Sequence, residues 1–72
     1  MDLRQLVGQN IRLYRGRLGI SQEELAFRSN LHRTYVSGDE RGVRNPTVQI
    51  VGRLATALKI EPAALLRARR KN

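Results

Sequence analysis

An all-α fold of five short helices follows from three features of this 72-residue chain. Apolar residues recur at helical rather than alternating spacing, and no strand pattern appears. Residues that start or stop helices (Gly19, Ser21, Asn30, Thr47, Pro62) stand where those periodic segments begin and end. Hydrophobic residues make up 40% of the chain, enough for one core and too many for a disordered tail.

The elements follow in order. Leu3, Val7, Ile11, Tyr14 and Leu18 are spaced four, four, three and four apart, which is one face of a helix. Leu6 widens that face, and Arg4, Arg12 and Arg17 lie off it. Gly19 suits the C-terminus of this helix. Ser21-Gln22-Glu23-Glu24 fits a capping box, with the Ser21 side chain accepting from the Glu24 backbone N–H and Glu24 reaching back. The second helix then runs from Gln22 to Ser29 with Leu25 and Ala26 inward, and Asn30 ends it because Asn tolerates left-handed dihedrals. A third helix starts near Arg33 and ends before Gly42, with Val36 inward. Val43-Arg44-Asn45-Pro46 is a loop, since Pro46 biases Asn45 out of helical dihedrals. Thr47 caps the fourth helix, where Val48, Val51, Ala55 and Leu58 share a face with Ile50 and Leu54 beside them. Pro62 opens the fifth helix, which continues from Ala63 to about Arg69 with Leu65 and Leu66 inward. Residues 1–66 form the domain, and residues 67–72 form a basic tail.

Charge and composition bound the function. Lys and Arg number 14 against six acids, a net charge of +8, and twelve of the cations are Arg. Such a chain seeks an anionic partner. Without cysteine there is no disulfide, zinc–thiolate site or Cys nucleophile. One His and six carboxylates predict no multi-ligand metal site, and His32 has no Ser–acid partner that would make a triad. No catalytic residue, metal or cofactor is expected. No apolar run approaches the roughly 18 residues of a membrane span, and no signal-peptide pattern opens the chain. A cytoplasmic protein is expected. No second, ligand-sensing or self-cleaving domain is expected. A single core of this size supplies about 3–5 kcal/mol, so dimerisation or ligand binding is expected to add to stability.

The second and third helices, joined by Ser29-Asn30-Leu31-His32, form a helix-turn-helix unit. Such a unit places its second helix in the major groove of DNA while the first crosses the backbone. Leu18-Gly19-Ile20-Ser21-Gln22-Glu23-Glu24-Leu25-Ala26, Tyr35-Val36-Ser37, Glu40-Arg41-Gly42 and Arg44-Asn45-Pro46 closely resemble the phage-repressor-like (Cro/CI or XRE) helix-turn-helix family over about residues 3 to 66. The resemblance implies a compact five-helix, lambda-repressor-like domain acting as a transcriptional regulator. It also implies a homodimer on an inverted-repeat operator in double-stranded DNA. A dimer sets its recognition helices about 34 Å apart on one DNA face. The expected interface is the fifth helix with the loop before the fourth. Small members of the family include phage repressors, restriction–modification controllers and antitoxins.

Roles then attach to residues. Arg33 can pair bidentately with guanine O6 and N7, and Thr34 can offer its hydroxyl, or its methyl to thymine. His32 either reads a base or caps the third helix. Ser21 and Gln22 open the second helix, whose free N–H groups suit a phosphate. Tyr35 and Ser37 lie a turn further on and reach phosphate, although Tyr35 can also be partly core. Arg41, Arg44 and Asn45 flank the end of the third helix and are expected on phosphates. By resemblance, Arg15 and Glu40 form a largely buried ion pair tying the first helix to the recognition helix.

Three positions depart from the family pattern. Asp39 stands where the family has a large apolar residue, so it points to solvent, pairs with an Arg, or is a cost. Gly38 removes a side chain that often reads bases in the family. That suggests close backbone approach to DNA, or a shorter specificity code. Phe27 falls on the outer face of the second helix and marks a contact surface, or folds over the first or fifth helix. A module that mainly binds protein, such as an antitoxin or coactivator contact, is the competing reading and would use Phe27 and the fifth-helix leucines.

Overall fold

The computed structural model describes residues 2–68. Four α-helices are followed by one short 3-10 helix: α1 (Leu3–Leu18), α2 (Gln22–Ser29), α3 (Arg33–Glu40), α4 (Val48–Leu58) and the 3-10 turn Pro62–Leu66. No strand occurs among the described residues. α1 packs on α3, α4 and the 3-10 turn, and α2 packs on α3 and α4.

Each α-helix starts on a side-chain cap. Asp2 accepts from the Arg4 N–H, Ser21 from Glu24, His32 from Thr34 and Thr47 from Ile50, at 3.0–3.2 Å. These bonds satisfy donors that a helix N-terminus otherwise leaves orphaned. The capping box of α2 is only half made. The Glu24 carboxylate turns outward to Arg28 at 2.8 Å, an i,i+4 pair, instead of reaching back to Ser21. Gly19, Asn30 and Lys59 end α1, α2 and α4 in the left-handed region, with φ of 68°, 57° and 62°.

Each element gives the core at least one fully buried residue, among them Ile11, Leu25, Val36, Leu54 and Leu65. Each is worth about 1.5–3 kcal/mol of hydrophobic burial. Val7, Ala26, Ala55 and Leu58 complete it, and Tyr14, Ile20 and Val51 lean against its edge.

The fifth helix is the main departure from expectation. The segment is a 3-10 turn that ends at Leu66, and Arg67 is already extended. The Asn10 side chain accounts for this. It donates to the carbonyls of Leu65 and Arg67, at 2.9 and 3.0 Å, and so takes acceptors that a longer helix would use. In a three-residue turn adjacent side chains diverge by about 120°, so burying Leu65 turns Leu66 away. Leu66 is accordingly 49% exposed rather than inward. Leu3, Leu18 and Val48 are also exposed, because helical periodicity marks a face without marking where the core beneath it ends. The expected extension to Arg69, and the basic tail beyond Ala68, lie outside the described residues. No helix among the described residues is long and apolar enough to cross a membrane.

α1 and α3 approach most closely at Gly8. A Cβ there would stand 2.4 Å from the Asp39 carbonyl oxygen and 2.7 Å from that of Glu40, both backbone atoms that cannot swing aside. Gly8→Ala therefore forces α1 off α3. It is expected to destabilise the domain by about 1–3 kcal/mol despite the better helix propensity of Ala, as measured by chemical denaturation.

Candidate nucleic-acid interface

The turn Asn30-Leu31-His32 sets α2 and α3 as a helix-turn-helix pair, and Leu31 packs against the core between them. The end of α2 is held from outside the pair. Arg53 of α4 donates to the carbonyls of Ser29 (3.1 Å) and Asn30, capping the C-terminus of α2 with a cation. The Ser29 hydroxyl turns back to the Leu25 carbonyl at 2.6 Å.

The base of α3 is fixed by a charge cluster. Glu40 is bound at both carboxylate oxygens: Arg15 Nε donates to Oε2 at 2.6 Å and Nη2 to Oε1 at 3.0 Å, the bidentate fork typical of Arg–carboxylate pairs. Arg15 Nη1 donates to the Ile20 carbonyl at 3.0 Å, and Gln22 Nε2 donates to Glu40 Oε1 at 3.1 Å. The Glu40 side chain is 1% exposed and that of Arg15 20%. The hydrogen bond that Arg15 donates to Glu40 outweighs desolvation and raises the Arg15 pKa above its ordinary value. One carboxylate thus joins α1, the α1–α2 turn, α2 and α3.

The opposite end of α3 faces solvent. His32, Arg33 and Thr34 are all exposed, and none of their side chains is drawn into the core. His32 Nδ1 accepts the Thr34 N–H at 3.2 Å, so the imidazole acts as a cap. Ser21 is exposed with its hydroxyl in the α2 cap. Gln22 is half-buried against Glu40, and the second proton of its Nε2 has no acceptor among the described residues. Tyr35 and Ser37 are half-buried, while Arg41 and Asn45 are exposed. Arg41 makes only a long contact to the Ser37 carbonyl at 3.4 Å.

Gly38 is buried, so it offers no bare backbone to DNA. The Arg44 side chain covers it and ends with its guanidinium 4.8 Å over the Tyr35 ring. Asp39 is buried as well, at 1% exposure, and neither carboxylate oxygen has a hydrogen-bond partner among the described residues. Of the three readings of this residue, the costly one applies. Burial pushes its carboxyl up from 3.8 to about 6, with the Arg44 charge pulling the other way. Phe27 is 82% exposed and does not fold over α1 or the 3-10 turn.

Three contributors escape a reading by sequence. Asn10 carried a signal, as a polar residue on the apolar face of α1 beside Val7 and Ile11. Gly8 and Arg53 carried none, because their partners are distant in the chain.

Fold and surface together define a helix-turn-helix domain, and similarity to known proteins agrees. The helix-turn-helix family profile matches residues 11–65. The control protein C.BamHI of Bacillus amyloliquefaciens is 42% identical over 66 residues, covering 90% of this chain and 82% of that one. The crystal structure of the restriction–modification controller C.AhdI from Aeromonas hydrophila superposes with a TM-score of 0.83 at 50% identity, covering 86% of this chain and 94% of that one. The controller C.Esp1396I, solved as a tetramer on its natural 35-base-pair operator, gives 0.83 at 35% identity, covering 90% of this chain and 86% of that one. The chain belongs to the XRE-type helix-turn-helix family and is a DNA-binding transcriptional regulator.

Two outcomes follow from the charges at the base of α3. Glu40→Ala strands a mostly buried Arg15, and is expected to cost about 3–5 kcal/mol, enough to unfold most of the population. Circular dichroism melting checks this. For Asp39 the folded carboxyl holds its proton to higher pH than the unfolded one, so stability falls as pH rises from about 4 to about 6. Asp39→Ile is expected to raise the melting temperature at pH 7, with a clearly smaller gain at pH 4.5.

Proposed function

We propose that this regulator reads an operator through the N-terminal half of α3, as a homodimer on an inverted repeat. The observation that carries the reading is the polarity of α3. Its C-terminal end is clamped by Arg15, Gln22 and Glu40, while Arg33 and Thr34 at the other end are exposed and unengaged. A reading head held rigidly at its base and free at its tip is what specific base contact requires. Arg33 pairs with guanine, Thr34 adds a hydroxyl or methyl contact, and His32 lies beside them while capping the helix. Ser21 and Gln22 at the start of α2, Tyr35 and Ser37 along α3, and Arg41, Arg44 and Asn45 beyond its C-terminal end serve the phosphates, which fix register rather than sequence.

An apolar groove supports the dimer. Leu3, Val7, Pro46, Val48, Val51 and Leu66 line a space of about 390 Å³, with Val48 90% exposed. A second copy applied through a two-fold axis would cover these side chains on both protomers at once and would match the symmetry of an inverted repeat. The resemblance to restriction–modification controllers of similar length supports a controller role. The same relatives do not favour the competing reading as a protein-interaction module.

Selection from a random duplex library at near-physiological salt tests the proposal. An enriched inverted repeat is expected, whereas retention that vanishes with rising salt and enriches nothing would overturn it. Within the enriched site, Arg33→Ala is expected to lose about 1–3 kcal/mol of binding and to relax the requirement for one base pair in each half-site, with the melting temperature unchanged.

A further inference from the structure

We infer that Gly38 is a positioning residue for DNA binding: its missing side chain leaves a seat on α3 that holds Arg44, a residue of the following loop, against the Tyr35 ring and aimed at a phosphate. The inference rests on the operator reading proposed above, and it adds a residue that touches no DNA.

The geometry is specific. A Cβ on Gly38 would stand 2.8 Å from Arg44 Nε, 2.9 Å from Cδ and 3.2 Å from Cγ. Three consecutive atoms of the arginine stem therefore occupy the space that any other residue would fill. Tyr35 and Gly38 are three apart on the helix and hence neighbours on one face. The stem crosses at Gly38, and the guanidinium comes to rest 4.8 Å above the Tyr35 ring, within cation–π range.

The backbone gives no other reason for glycine here. Gly38 lies inside α3 and is not among the positive-φ residues, which are Gly19, Asn30, Gly42 and Lys59. A glycine inside a helix disfavours that helix relative to alanine. What the position needs is space. It differs from Gly8, where a Cβ would meet fixed backbone atoms, because here the obstructing group is a flexible side chain that can leave.

The seated cation is bound to no carboxylate among the described residues, although its charge acts at longer range on buried Asp39. Arg44 takes part in no ion pair within 4.0 Å among the described residues, whereas Arg4, Arg15 and Arg28 each have a carboxylate. Packing along α3 restricts a long side chain before DNA arrives, so less conformational freedom is lost when it meets a phosphate. Gly38 thereby moves a charge from the loop to the side of the reading helix.

The test is Gly38→Ala, assayed with the duplex recovered from the selection and with a scrambled duplex of equal length. The variant is expected to stay folded, because the helix propensity gained with alanine offsets the lost effect of the Arg44 charge on Asp39. It should bind both duplexes about tenfold more weakly, the scale of one charge-assisted hydrogen bond. The slope of log affinity against log salt should shrink by about one phosphate contact. Adding Gly38→Ala to an Arg44→Ala background should change neither quantity further. Unchanged affinity and slope in Gly38→Ala, or an equal loss in the Arg44→Ala background, would overturn the inference. If the parent enriches no duplex, the operator reading fails instead, and the scrambled duplex still reports whether Gly38 acts through Arg44.

Discussion

The fork between Arg15 and Glu40 is the contact on which the arrangement of this domain depends. α3 is only eight residues long, too short to hold its direction by intrinsic helix stability. Its orientation comes from what grips it. Glu40 receives two hydrogen bonds from α1 and one from α2, and the same arginine holds the carbonyl of Ile20 in the connecting turn. A hydrophobic contact would leave the rotation of α3 about its axis softly defined, whereas a planar guanidinium on a planar carboxylate restricts angle as well as distance. For the proposed presentation of Arg33 to a base edge, rotation is the quantity that matters.

Next to this satisfied acid lies an unsatisfied one. Asp39 and Glu40 are consecutive and both buried, yet their electrostatic situations are opposite. Glu40 has three donors, while Asp39 has none among the described residues. The contrast shows that burial does not decide the cost of a charge; the donors within reach decide it. Asp39 follows Gly38, which seats Arg44, and its own carbonyl with that of Glu40 is what Gly8 packs against. The reading helix, its loop cation and its attachment to α1 therefore meet within three residues.

Local chemistry made most of the architecture legible in the sequence. Ser21, Asn30, Thr47 and Gly19 act within four residues of themselves, so they mark the end of α1, both ends of α2 and the start of α4, whereas Asp2 and Lys59 gave no such signal for the other two limits. The helix-turn-helix unit was legible for the same reason, and the motifs around it pointed to its family. Other features depend on partners far along the chain. Asn10 reaches across 55 residues to Leu65, and this contact decides that the last element is a 3-10 turn. Val48 and Leu66 follow the apolar pattern but project past the core, because periodicity reports direction and not depth. At Gly38 the sequence disclosed a missing side chain, and only the fold disclosed that Arg44 occupies its place.

The Asn10 bridge also shapes how the molecule opens. A five-residue 3-10 turn close to the end of the described chain would ordinarily fray on its own, independently of the rest. Asn10 lies in the middle of α1 at 1% exposure and binds the carbonyls on either side of Leu66. Peeling that turn away would leave a buried amide without acceptors and expose Leu65 from the core. The segment is thereby tied to the most cooperative part of the domain, and its backbone amides should exchange with solvent only when α1 itself opens. The apolar edge around Leu66 is then a standing surface of the monomer, already shaped before anything covers it.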